Sequence, residues 1–231
     1  MITENNYHVR RRPTKPAAGM VPWPDVLARA VRTLNDCDMK AGEESVSTSK
    51  DGVEAVLSIE VRNYKGAPPN STVHVGLVCG KPGNHSSAVV GGVVLGGVPC
   101  VLKGYGRYRP VRGAASKINW GIVLDRLLTA FCMDIHTYGQ AVHEIRNVLI
   151  NRTRADALVY RLASKGVINP STLPWFHGLR QQQFETAWEL LSALNQAVGA
   201  RPALSDKPRT TQLESSLLCF EEVKKLCKGA S

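Results

Sequence analysis

This sequence predicts an α+β fold, and three features carry the prediction. A helical segment opens the ordered part of the chain. A glycine-rich middle follows, in which apolar and polar residues alternate. From Asn119 onward the apolar spacing changes to that of helices. The arrangement expected is an antiparallel strand meander backed by a long helix, then a helical C-terminal half. At 231 residues with 43% hydrophobic content, the chain is long enough for one sizeable core.

Residues 1–20 read as a flexible basic arm, because Arg10-Arg11-Arg12 is followed by Pro13 and Pro16. A single α+β domain is expected over 21–199, strand-rich in 41–118 and helical in 119–199. Pro22 to Met39 is the first helix. Pro24 suits its first turn, and Val26, Leu27, Ala30, Val31 and Leu34 fall at helical spacing. A weak strand over Glu44–Thr48 leads into the hairpin signal Asp51-Gly52. Val53 to Val61 then alternates as a half-buried strand. After a loop containing Pro68-Pro69, Thr72 to Cys79 is another strand, and residues 80–87 form a turn. Ala88 to Leu102 is interrupted by Gly91-Gly92 and Gly96-Gly97, so it reads as two short strands or one bent strand. The meander therefore has about four strands.

In the helical half, Ile122, Val123, Leu127, Phe131, Ile135, Tyr138, Val142, Ile145 and Leu149 fit one long helix or two joined near Gly139. Thr153 is the expected cap of a helix through Lys165, stopped by Gly166. Asn169-Pro170 opens a turn before a short helical piece at Leu173–Leu179. Thr186 and Glu189 form a capping box for a helix ending at Gly199. Residues 200–210 read as a linker and 211–231 as a last amphipathic helix packed on its own domain.

Charge is segregated. Residues 61–124 hold eight Lys or Arg and no Asp or Glu, a net +8 within a chain of net +10. A basic surplus confined to one block suggests a surface for a polyanion, with nucleic acid held through its phosphates. The candidate contacts are Arg62, Lys65, Lys81, Lys103, Arg107, Arg109, Arg112 and Lys117, with Tyr105 and Tyr108. Six of these, Lys103, Tyr105, Arg107, Tyr108, Arg109 and Arg112, crowd into KGYGRYRPVRG at 103–113. There the cations would pair with phosphates and the two rings would stack on unpaired bases, which favours single strands. A solvated loop whose tyrosines cover the sheet is the alternative. Twelve of the 20 glycines also lie in 61–124, so the sheet permits close approach of another backbone.

Catalytic patterns are absent. There is no GxSxG, no paired carboxylate in the strand block and no Cys/His pair at recognisable spacing. Gly80-Lys81-Pro82-Gly83 has the wrong spacing for a phosphate loop. Cys37, Cys79, Cys100, Cys132, Cys219 and Cys227 form no CxxC pair and read as free thiols. His136 and His143 share a helix face without a carboxylate cluster. The expectation is a non-enzymatic protein using no metal and no cofactor. The segment MITENNYHVRRRPTKP is basic but lacks an apolar stretch, and no run is long enough to span a bilayer. A soluble, non-secreted protein follows.

Two segments carry a family resemblance. RADALVYRLASKGVINPSTLPWFHGL with FETAWELLSALNQAVG, within 154–199, resembles a helix–turn–helix ending in a TAW-type motif, here Thr186-Ala187-Trp188. HVGLVCGKPGNHSSAVVGGVVLGGVPCVL at 74–102 resembles a polar turn followed by an apolar strand. Both are similar to phage- and plasmid-borne proteins grouped as "domain of unknown function 932", over about Val21 to Ala200. Those proteins end the strand near Cys-Asp-Asn, whereas Cys100 here precedes Val101-Leu102. The resemblance implies a mobile-element protein acting on or near DNA, in the cytoplasm of an infected or plasmid-bearing bacterium. By fold-level analogy it also points to ring- or filament-forming annealing proteins. The expected function is single-stranded DNA binding or annealing by a homo-oligomer with no membrane contact. The alternative is a phage module that docks on a host defence or replication protein through charge complementarity.

Overall fold

Alternating apolar residues build the sheet from its middle outward. A computed structural model of the chain describes residues 21–48, 55–62, 71–79, 87–95, 98–110, 119–168, 184–199 and 210–228. Five strands, β1 (Lys40–Thr48), β2 (Ala55–Arg62), β3 (Ser71–Cys79), β4 (Ser87–Leu95) and β5 (Val98–Tyr108), pair antiparallel in sequence order. The register sets Leu57 opposite Leu77, Ile59 opposite Val75 and Val61 opposite Val73, and all six are buried on one face. Val73 and Leu77 pair on with Val93 and Val89 of β4, which continues that face. The α+β expectation is thus met, with five strands in place of about four.

The extra strand comes from the valine-rich segment. Gly91-Gly92 lies inside β4 and does not end it, and β5 runs on through KGYGRY, where a solvated loop was the alternative reading. A Cβ on Gly92 would strike the Cys100 carbonyl oxygen across the β4–β5 pair. One backbone that these glycines admit is therefore that of the neighbouring strand.

Among the described residues six helices accompany the sheet: α1 (Trp23–Asp36), α2 (Trp120–Asp134), α3 (Thr137–Arg146), α4 (Arg152–Ser164), α5 (Ala187–Gly199) and α6 (Thr210–Lys228). The long segment after Asn119 divides at Ile135–His136, just before the predicted joint at Gly139. There Thr137 Oγ1 donates to the Asp134 carbonyl at 2.7 Å. Asn151, and not Thr153, caps α4: its Oδ1 accepts from Thr153 N at 2.8 Å. Gly166 follows that helix at φ +69°, the left-handed stop expected of it. The Thr186–Glu189 capping box forms as read.

α2 lies against β4 and β5 on the apolar face, where Gly91 leaves room for Phe131 and Tyr138. α6 crosses the opposite face, with Leu213 over Gly76 and Leu217 over Gly104. Its Cys219, Phe220 and Val223 are buried, so it packs on its own chain as expected. Ser216 Oγ accepts from Val101 N at 2.9 Å and donates to Asn195 Oδ1, tying α6 to β5 and α5. All six cysteines are free, and Cys79, Cys100, Cys132 and Cys219 are buried. The arm at 1–20, the Asp51-Gly52 turn and residues 80–86, 169–183 and 200–209 lie outside the described residues.

α1 is clamped to α2 by one carboxylate. Arg29 donates to both oxygens of Asp125 at 2.9 and 2.6 Å, and Thr33 Oγ1 donates at 2.9 Å. Burial pushes the Asp125 carboxyl up, but these hydrogen bonds and the Arg29 charge outweigh it and hold it below the usual carboxylate range. A depressed folded-state value contributes stability above the unfolded-state value and loses it as pH falls through the folded one. Asp125→Ala is expected to cost about 1–2 kcal/mol at neutral pH, a figure kept low because the pair is one-third exposed. The gap between variant and wild type should close as acid protonates Asp125. A gap independent of pH in thermal melts would contradict the clamp.

Candidate nucleic-acid interface

The predicted interface centres on β5, an edge strand of the sheet. Strand alternation alone would send Tyr105 and Tyr108 to opposite faces. The ladder breaks that alternation: Val89 pairs with Gly106 and Val90 with Gly104, so Tyr105 is an extra, bulged residue. Gly106 at φ +128° accommodates the bend. Both rings consequently turn inward.

Tyr108 is only 3% exposed, and its hydroxyl donates to the Val78 carbonyl at 3.2 Å beside Cys79 Sγ. Tyr105 is half-buried, packs edge-on against Phe131 and shares a 2.6 Å hydrogen bond with the Tyr138 hydroxyl. Burial raises both phenols above their ordinary range. The expectation that these two rings stack on bases is corrected: they cover the sheet and fill its core.

The cations of β5 are on the surface. Lys103 reaches Asp134 of α2 at 2.5 Å, and its Nζ sits 5.5 Å from the Tyr105 ring centroid. Arg107 has a side chain 70% exposed and lies 3.9 Å from Glu214 of α6. Arg109 is exposed just beyond the strand, and no carboxylate among the described residues pairs with it. Next to it the Pro110 carbonyl accepts from Val21 N at 2.8 Å, which fixes this end of the strand. Lys103 and Arg107 thus flank the edge from its two sides, one toward α2 and one toward α6.

Arg62 does not join them. It is exposed at the end of β2, held by Glu60 at 2.8 Å. Two strands separate β2 from β5, a lateral distance of about 14 Å. Lys65, Lys81, Arg112 and Lys117 lie outside the described residues.

A second cationic group was not anticipated. Glu222 of α6 has a side chain only 7% exposed and is ringed by Arg161 at 2.8 Å, Lys225 at 3.1 Å and Lys165 at 4.0 Å. A hydrogen bond from Lys225, with the charges of Arg161 and Lys165, holds Glu222 below the usual carboxylate range against burial. Tyr160, which precedes Arg161 on α4, stands 68% exposed. The signal was present in α4: Ala155, Leu158, Val159 and Leu162 form the buried stripe, and Tyr160 and Arg161 fall off it.

Among the described residues no three His, Cys, Asp or Glu side chains gather as a metal site, and no helix is long and apolar enough to cross a membrane. No protein-family model matches the chain, and neither a curated protein nor a solved structure is significantly similar to it.

Proposed function

We propose that this protein binds nucleic acid through phosphate contacts made by the cations of β5, with single-strand binding or annealing in a mobile element as its role. One observation carries the reading. The acid-free block places Lys103 and Arg107 exposed on one edge strand and Arg109 exposed just beyond its end. The carboxylates near two of them come from helices outside the block. Exposed ion pairs of this kind are worth little, about 0–1 kcal/mol, so phosphates can displace their carboxylates. With Tyr105 and Tyr108 turned inward, β5 supplies charge and no stacking ring.

Fluorescence anisotropy with a labelled oligothymidylate tests it. K103A/R107A/R109A should weaken binding and reduce the slope of log affinity against log salt by about 2, at roughly 0.7 per phosphate contact on a single strand. An unchanged affinity and slope would refute the β5 interface.

A protein-docking reading has one observation in its favour: Lys103 and Arg107 already face carboxylates, Asp134 and Glu214, as they would on an acidic protein surface. Pull-down from nuclease-treated host lysate separates the two readings. A stoichiometric protein partner whose capture needs Lys103 and Arg107 favours docking.

A further inference from the structure

We propose that a second nucleic-acid contact surface lies where α4 meets α6, built by Tyr160, Arg161, Lys165 and Lys225, and that Tyr160 supplies the base-stacking ring. The inference rests on the nucleic-acid reading above and adds to it a site for single strands.

The charge count makes the case first. Three cations surround one carboxylate, Glu222, so the seam carries a surplus of two positive charges. Arg161, at 2.8 Å, is sufficient to neutralise the buried Glu222. Lys165 and Lys225 are then in excess, and their side chains are at least half exposed. Arg161 and Lys165 are one helical turn apart, which spaces their head groups along the helix by about 6 Å. Lys165 sits 4.0 Å from Glu222, and the exposed Lys225 can exchange its 3.1 Å hydrogen bond for phosphate oxygens at small cost once Arg161 neutralises the carboxylate.

The ring makes it second. Tyr160 is one of four large apolar or aromatic side chains exposed among the described residues, and the only one that carries an aromatic ring. It projects about 100° around α4 from Arg161. Ala157 and Ser164, on the helix surface between them, are small and leave the path across the helix open. A single strand lying over α4 would place a phosphate at the Arg161–Lys165–Lys225 group and an unpaired base on Tyr160. A duplex keeps its bases stacked and would use the cations alone.

Two variants test this in the full chain. Tyr160→Ala changes an exposed side chain, so the fold should be retained, with an unchanged melting temperature as the check. It is expected to weaken oligothymidylate binding by about 5- to 150-fold, the range of one lost base stack, without changing the salt slope or duplex affinity. K165Q/K225Q leaves Arg161 on Glu222 and should lower the salt slope by about 1.4. If both variants bind like wild type while K103A/R107A/R109A is impaired, the α4–α6 surface is refuted and the nucleic-acid reading stands. If wild type binds neither probe at low salt, both fall together.

Discussion

Gly92→Ala should strongly destabilise the folded state. The added methyl would lie against the Cys100 carbonyl and 3.0 Å from the Val101 Cα, both backbone atoms of the paired strand. No rotamer change relieves such a contact, so β4 and β5 must separate. The expected cost is at the upper end for overpacking, about 3 kcal/mol or more. That is a large share of a total stability of about 5–15 kcal/mol. Gly104→Ala is the control, because a Cβ there meets only the Leu217 side chain at 3.4 Å. Urea unfolding should show a marked drop in midpoint for the first variant and little change for the second. Equal midpoints would mean that the register placing Gly92 opposite Val101 is wrong.

Phe131→Ala is expected to cost about 3–5 kcal/mol, the range for emptying a buried aromatic site. Phe131 is fully buried in α2. Its ring meets Tyr105 at 5.7 Å and Tyr138 at 6.1 Å between centroids, both edge-on. It also occupies the space left by the missing side chain of Gly91. Deleting it opens a cavity beneath the bulge that turns Tyr105 inward, so the loss should appear as a lower melting temperature together with a weakened near-ultraviolet tyrosine signal. A melting temperature within a degree or two of wild type, roughly the shift from well under 1 kcal/mol, would contradict the packing.

Which parts of this structure the sequence announced has a physical pattern. Local chemistry was readable. The alternation through Val61 gave β2, the Thr186–Glu189 pair gave the start of α5, and Gly166 gave the end of α4. Readings that depended on a neighbouring strand went astray. Gly91-Gly92 is an exception: the expected bulge is there, because the β4–β5 register shifts between those two residues, and two strands cover the segment as one of the two readings had it. The direction of Tyr105 and Tyr108 was set by a register shift between β4 and β5, which alternation within one strand cannot reveal. The helix joint moved to Ile135–His136 because a threonine hydroxyl closes the turn there, whereas Gly139 stays within α3.

The candidate site divides in the same way. Segregated charge was visible as composition, and the exposed cations of β5 agree with it. Arg62 shared the composition without sharing the place, since adjacency in sequence does not fix position across a sheet. The α4–α6 group was hidden because it joins residues more than sixty positions apart, Arg161 and Glu222, on two helices.

The central claim is that the basic surface meets phosphates. Anisotropy of the wild-type protein with labelled single-stranded and duplex oligonucleotides over a range of salt tests it most directly. The account predicts tighter binding to the single strand and a log–log slope of about −3 to −6, equivalent to some four to eight phosphates. No binding to either probe at low salt would contradict it.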